Sequence, residues 1–333
     1  MADVLTNTPE GLYSEAGDFH VDPYEGGVPT AVISHAHSDH ARPGSDHYFC
    51  SETTVPLLRR RVGEDADITG VPFGEAIDFN GVKVSLHPAG HILGSAQVRV
   101  EQDGEVWVFT GDFKRSEDPS CESFEVVECD TLITEATFAL PVYRWQPGEQ
   151  VAREVFDWWM GNRAKGKTSL LAGYSLGKSQ RLLAELTRFT DEGVLLHGAL
   201  LDFVQMYRDA GVEMLPTQYV TEQPEDTDYS GDLVICPPGA LASNWTRRFD
   251  DYSDGFASGW MRVRGIRRRR GYDAGFVMSD HADWPELLQT VRDTGARRVL
   301  ATHGKTDAFV RYLREEMGVD AEPLETAFQD EDD

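Results

Sequence analysis

The chain has 333 residues, 40% hydrophobic and 26% charged, which suits one large domain or two moderate ones and excludes a disulfide mini-protein, a collagen-like fibre and a wholly disordered chain. No apolar run approaches the roughly 18 residues of a membrane-spanning helix, so no membrane association is expected. The 57 acidic residues against 31 basic ones leave a net charge of −26, and only 6 of the basic residues are lysines.

The acidic residues are scattered along the chain, with local excesses at Thr221–Asp232 and Asp330–Asp333. An acidic, lysine-poor surface fits a halophilic cytoplasm at molar salt, where self-repulsion is screened within about 3 Å and net charge maintains solubility. An ordinary acidic cytosolic enzyme is the alternative. Met1–Glu10 has no basic stretch followed by an apolar core, so a cytoplasmic location is expected. Cys50, Cys121, Cys129 and Cys236 show no C-x-x-C spacing and read as reduced thiols rather than metal ligands.

Along the chain, short β-rich runs deliver polar residues capable of chemistry. Ala31–Ser34 runs into His35, Val82–Leu86 leads towards His91, Val106–Thr110 ends at Gly111-Asp112, and Thr131–Thr134 ends at Glu135. A helix is predicted over Glu149–Met160, with Val151, Val155, Phe156 and Trp159 at helical spacing; Trp158-Trp159 reads as core. Thr168–Ala172 reads as a strand, and a second helix follows over Lys178–Arg188 with Leu182, Leu183 and Leu186 inward. Thr221–Asp232 reads as a loop. Phe276–Ser279 leads to His281, a helix follows over Trp284–Asp293 with Pro285 early in it, and Val299–Thr302 ends at His303. In open sheets, ligands collect where strands give way to loops. One active-site edge assembled from distant segments is therefore expected.

The densest signal is His35-Ala36-His37-Ser38-Asp39-His40. Imidazole and carboxylate donors suit zinc. In an extended turn His35 and His37 can meet one ion, and Asp39 and His40 a second beside it; a helix would not present i and i+2 on one face. His91 is a third ligand for the first ion, Asp112 can bridge the two, and His303 can complete the second. Six of the ten histidines (His35, His37, His40, His91, His281 and His303) fall at these strand-end positions, which argues against a coincidental His-rich loop. Paired ions about 3.5–4 Å apart can activate water and clamp an in-line phosphoryl displacement. Asp22 either fixes a ligand histidine through its imidazole N–H or simply turns the chain before Pro23.

These residues resemble a known family. His35-x-His37-x-Asp39-His40, then His91 and Asp112, are similar to the metallo-β-lactamase fold. Glu135 in Thr134-Glu135-Ala136-Thr137, His281 in Ser279-Asp280-His281-Ala282-Asp283, and His303 resemble the extra motifs of the β-CASP nuclease branch. The chain most resembles the short prokaryotic ligase-associated DNA exonucleases and mRNA 3'-end processing factor-like proteins, from Gly17 to about Gly318. The resemblance implies an α/β chain. A metallo-β-lactamase αββα sandwich would occupy residues 1–137 and 274–333, with a β-CASP α/β insertion over 138–273. It implies one zinc on His35, His37 and His91 and another on Asp39, His40 and His303, with Asp112 bridging and manganese a possible substitute. Catalytic roles would fall to Asp39, Asp112, Glu135 and His281. His281 would protonate the leaving oxygen and Glu135 would orient it, sensible because an alkoxide leaves poorly without a proton.

The implied activity is two-metal-dependent hydrolysis of nucleic-acid phosphodiester bonds. A DNA exonuclease linked to repair or ligation is favoured, with a DNA ligase or helicase as a partner. RNA 3'-end processing is the alternative within the family, and a non-nucleolytic hydrolase on the same scaffold the alternative outside it. A catalytically silent scaffold protein sits poorly with the complete ligand set.

Two motifs in the inserted segment invite other readings. Gly173-x-Ser175-x-Gly177 fits a nucleophile elbow, and Gly173-x-x-x-Gly177-Lys178-Ser179 is one residue short of a phosphate-binding P-loop. Neither explains the histidines; a strand–turn–helix aiming backbone N–H groups at a phosphate fits better. Arg262, Arg264 and Arg267–Arg270 form the one dense basic run, with Trp260 upstream as a stacking surface, and read as a phosphate-backbone contact or a partner-docking strip. At molar salt, counterion-release affinity is weak, falling by about 0.7–0.9 log units per neutralised phosphate for each log unit of salt. Binding there would rest on metal–phosphate coordination, short arginine contacts and stacking.

Overall fold

The computed structural model describes residues 3–265, 271–304 and 306–328. The chain divides into two units. One contains the residues up to Glu117, Cys121–Arg144 and the chain from His281 onward; the other contains Asp118–Ser120 and Trp145–Asp280.

Strand alternation decides how the first unit is layered. Successive side chains on a strand point to opposite faces, so Trp107 and Phe109 enter one cluster while Val108 enters another. Ile133 and Leu132 separate in the same way, as do Leu300 and its neighbours Val299 and Ala301. These residues belong to a seven-stranded sheet, in hydrogen-bonded order Asp320–Pro323, Arg298–Thr302, Thr131–Glu135, Glu105–Phe109, Ala96–Gln102, Val82–Pro88 and Ala76–Phe79. One face packs on Leu12, Phe19, Val21 and Val32 of a six-stranded sheet running Thr6–Thr8, Gly11–Ser14, Phe19–Val21, Thr30–Val32, His47–Ser51 and Ile68–Val71. The other face packs on helix Trp284–Thr294 through Leu287, Leu288 and Val291, and on helix Thr306–Glu316 through Phe309, Val310 and Leu313. Leu58 of helix Val55–Val62 packs with Ala31, Ile33, Tyr48 and Cys50 on the six-stranded sheet. Burial of each large apolar side chain contributes about 1.5–3 kcal/mol.

Helix Trp284–Thr294 begins where its sequence specifies. Asp283 accepts from Glu286 N at 3.0 Å, Glu286 reciprocates, Pro285 sits in the first turn, and Gly295 ends the helix in the left-handed region. Such a cap contributes about 0.5–2 kcal/mol. It starts the helix immediately after His281.

Parallel pairing brings the polar strand ends to one edge. Glu135 is in register with Thr302, the residue before His303, and Phe109 with Ile133, so the turn to Asp112 leaves from the same end. The strand containing Phe276 is shorter than its apolar run suggests: it spans Ala274–Phe276, and His281 follows on irregular chain.

The second unit has a fully parallel six-stranded sheet, ordered Thr217–Tyr219, Val194–Leu196, Leu233–Cys236, Thr168–Ala172, Tyr252–Ala257 and Ala274–Phe276. Its two central strands, Leu233–Cys236 and Thr168–Ala172, are buried along their whole length, as expected where both faces are covered. Helix Gly148–Arg163 packs through Val151, Val155 and Trp159, and Trp159 is fully buried with its indole donating to Gly231 O at 2.9 Å. Helix Lys178–Leu186 departs from the expected one-sided pattern: all nine of its residues are buried. Its charges are paired, Lys178 Nζ with Asp280 at 3.3 Å and Arg181 Nε with Asp118 at 3.0 Å. No helix among the described residues is long and apolar enough to cross a membrane.

Candidate metal centre

The centre is built outward from Asp22, which lies at φ 42°, a conformation that non-glycine residues seldom adopt. Its carboxylate accepts from Ser34 N at 2.7 Å and from the Ser34 hydroxyl, and His40 Nδ1 lies 2.7 Å from Oδ2. Ser34 Oγ is also 3.0 Å from His35 Nδ1. Ser34 has one hydroxyl proton, and Asp22 receives it, so His35 Nδ1–H donates to Ser34. His35 and His40 therefore both present Nε2 inward.

Asp112 faces those two nitrogens. Its Oδ2 lies 3.4 Å from His35 Nε2, 3.6 Å from His40 Nε2 and 3.8 Å from His91 Nε2. Gly111 makes this approach possible: at φ 54° its Cβ position lies 2.8 Å from Ser34 Cβ and Oγ, too close for a side chain. His91 sits in a tight turn whose Ser95 Oγ accepts from His91 N at 3.0 Å and Ile92 N at 3.2 Å. Its Nε2 lies 3.0 Å from His37 Nδ1. His40 Nε2 is 3.5 Å from Asp39 Oδ2. His303, at φ 61°, completes this side; such strain persists only where the surroundings enforce it.

Among the described residues, ligand-capable atoms gather in overlapping groups, each within 4.8 Å: His35, His37, His91 and Asp112; Asp22, His35 and His40; Asp39, His40 and His303; and Asp112, Glu135 and His281. Among the described residues, His40 Nε2 and Asp112 Oδ1 are buried with no hydrogen-bond partner. Buried polar atoms normally have one, so the donor set fits divalent cations. Burial alone would lower the basicity of His40, but Asp39, Asp112 and Asp22 outweigh it and push its pKa up to about 10. Burial also drives the Asp112 carboxyl well above its usual range, against the pull of His40 and His281. The cluster favours positive charge, and a cation competes with the His40 proton for the same place.

Beside this cluster, His281 Nδ1 lies 3.0 and 3.1 Å from the two carboxylate oxygens of Glu135, and Phe113 N donates to Glu135 Oε1 at 2.9 Å. The carboxylate thus holds the ring at Nδ1. Glu135 and His281 are both almost fully buried.

The structure thus brings together His35, His37, Asp39, His40, His91, Asp112 and His303, with Glu135 and His281 alongside. It also decides between the two readings of Asp22, which holds His40. Two contributors were missed. Ser34 looked like the end of a strand; its position next to His35 was the available signal. Phe328, stacked on His40 and His303, stands alone in an acidic tail that offers no motif.

In the second unit, the turn Gly173–Ser179 already uses backbone donors internally. Gly177 N donates to Gln180 Oε1 at 2.8 Å and Ser179 N to Tyr174 O at 3.2 Å, which leaves fewer N–H groups for a phosphate than its sequence suggests. Arg262 ends a short 3₁₀ turn, Gly259–Arg262, with Trp260 inside it, whereas Arg267–Arg270 lie outside the described residues.

None of the protein-family profiles matches the chain. A relative named "Probable DNA ligase" from Opitutus terrae is 35% identical over 288 residues, 86% of this chain and 28% of that protein. "Endoribonuclease ysh-1" from Neurospora crassa is 32% identical over 135 residues, 38% of this chain and 16% of that protein. The chain therefore spans less than a third of the length of either relative. Among solved structures, a protein of unknown function from Enterococcus faecalis V583 matches with a TM-score of 0.60 at 11% identity, covering 90% of this chain and 80% of that one, a likeness of fold alone. From these similarities and its motifs, the chain belongs to the β-CASP branch of the metallo-β-lactamase family.

Proposed function

We propose that the chain is a two-metal-dependent nuclease that hydrolyses phosphodiester bonds. The observation that carries this reading is the placement of a buried His281–Glu135 pair beside a donor set large enough for two cations around Asp112. The layered first unit reads as the αββα sandwich, residues 1–137 with 274–333, and 138–273 as the β-CASP insertion.

In this reading His35, His37, His91 and Asp112 hold one ion, and Asp39, His40, His303 and Asp112 the other. Bound there, the pair supplies a nucleophilic water and neutralises charge developing on the phosphoryl group. Asp22 and Ser34 fix the rings of His40 and His35, so that their Nε2 lone pairs point inward. Glu135 holds the His281 ring and stabilises its protonated form. His281 Nε2–H then donates to the departing oxygen, a contribution of about 10²–10⁴-fold. Zinc is favoured by the mixed imidazole and carboxylate donors, and manganese suits the same set.

DNA is the favoured substrate, cut as an exonuclease in repair or ligation, with a DNA ligase or helicase as partner. The Opitutus relative, named for ligation and matched over most of this chain, supports that context. RNA cleavage is the second reading, supported by the endoribonuclease name of the Neurospora relative. Halophily, on the acidic and lysine-poor composition, and a cytoplasmic setting remain part of the proposal. The test is end-labelled DNA and RNA digested at molar salt, with and without chelator. Chelator-sensitive cleavage supports the reading, and product lengths report polarity and mode. Metal-loaded protein that cuts neither polymer contradicts it.

A further inference from the structure

Phe328 lies beyond the stretch that resembles the family, yet it is packed against two of the proposed ligands. Its ring centroid is 4.6 Å from that of His40 at 11° and 4.7 Å from that of His303 at 10°. The two imidazoles are themselves nearly parallel, 5.3 Å apart at 11°. Three parallel rings therefore form one cluster, which Tyr24 closes edge-on against Phe328 at 4.9 Å and 88°.

The chain is anchored just before Phe328. Leu324 N donates to Ala301 O at 2.8 Å, and the Thr326 and Thr302 hydroxyls are 2.5 Å apart. Asn7 donates to Glu325 O, and Tyr24 OH donates to Asn7 Oδ1 at 2.6 Å. Asn7 and Tyr24 thus tie the start of the chain to its tail.

We propose that Phe328 is a positioning residue for the second cation, the one assigned to Asp39, His40 and His303. His40 is held at Nδ1 by Asp22, which sets the direction of the ring but does not by itself set its tilt. A flat aromatic face fixes the plane. His303 has a second need, because its backbone is in the left-handed region and relaxes unless its side chain is held. His40 is fully buried under this packing, and a low-dielectric setting strengthens the attraction between Asp112 and a cation. Residues that orient metal ligands typically alter metal affinity by about 10- to 100-fold when removed. The inference rests on the two-cation reading, and it separates the sites: the group His35, His37, His91 and Asp112 should keep its ion.

The experiment is a Co²⁺ titration of chelator-stripped full-length protein, followed by visible absorption and calorimetry, for the wild type, Phe328→Ala, Phe328→Leu and Phe328→Tyr. The wild type is expected to bind two Co²⁺. Phe328→Ala and Phe328→Leu should weaken one of them about 10- to 100-fold, leave the other unchanged and alter the absorption band of the weakened site alone. Phe328→Tyr should restore both affinity and band. Unchanged titration of Phe328→Ala, equal weakening of both sites, or rescue by leucine as complete as by tyrosine would overturn the proposal while leaving the two-cation reading intact. A wild type that binds fewer than two Co²⁺ overturns both.

Discussion

His281 and Glu135 form a buried two-point contact, with Nδ1 of the ring 3.0 and 3.1 Å from the two carboxylate oxygens. A ring fixed this way can offer only its opposite nitrogen to a reacting group. His281→Ala is expected to reduce single-turnover cleavage of end-labelled DNA by about 10²–10⁴-fold while leaving metal content at the wild-type level. Glu135→Gln keeps the shape and removes the charge, so it should cost less than loss of the imidazole and shift the basic limb of the pH–rate profile downward. Full cleavage by His281→Ala would remove that residue from the chemistry.

Asp22 acts one step back from the cluster. It binds His40 Nδ1 and both donors of Ser34, and through Ser34 it sets the ring of His35. Asp22→Asn loses the charge and presents an amide that cannot accept from all these donors. Metal affinity, measured against a competing chelator, is expected to fall about 10- to 100-fold. Wild-type affinity would show that the hydrogen bonds are incidental to the site.

Binding a cation selectively to the folded state stabilises that state. Removal of metal by chelator is therefore expected to lower the thermal unfolding midpoint, and re-addition to restore it in a concentration-dependent way. The shift should vanish in Asp112→Ala, because that carboxylate faces three histidines at 3.4–3.8 Å. A chelator-induced shift that persists in Asp112→Ala would place the stabilising ion elsewhere.

Cys50 and Cys236 are fully buried, and burial pushes both thiols up to about 12. Each folded-state pKa is raised above that of the unfolded chain, so the stability it contributes is complete below about pH 8.5. That contribution is lost as the pH rises towards 12. Over that window each thiol should lower the unfolding free energy by up to about 1.4 kcal/mol per pH unit. Urea unfolding between about pH 8 and 10.5 should show a shallower pH dependence in Cys236→Ala than in the wild type. Identical slopes would mean that the thiolate is equally accessible in both states.

The histidine cluster was legible because metal donors concentrate in short loops at strand ends, and His35–His40 gathers several of them into one turn. The strand ends at Asp112, Glu135 and His303 were legible because each apolar run stops at a polar residue. Asp22 was readable only as an alternative, since a turn aspartate before proline and a carboxylate behind a metal ligand have the same local sequence. The polar residues of Lys178–Leu186 suggested an exposed face; they are buried because Asp118 and Asp280, distant in sequence, neutralise them. Phe328 could not be found, because aromatic stacking has no spacing rule and its partners Tyr24, His40 and His303 lie in three other segments. The assignment of Asp118–Ser120 to the second unit was hidden for a similar reason: it rests on tertiary contacts such as Arg181 with Asp118.

The most direct test of the central claim is anomalous X-ray scattering from crystals of zinc-loaded protein. The expected result is two peaks about 3.5–4 Å apart, with Asp112 between them, one against His35, His37 and His91 and the other against Asp39, His40 and His303. A single peak, or peaks coordinated by other residues, would contradict a paired-cation centre in this chain.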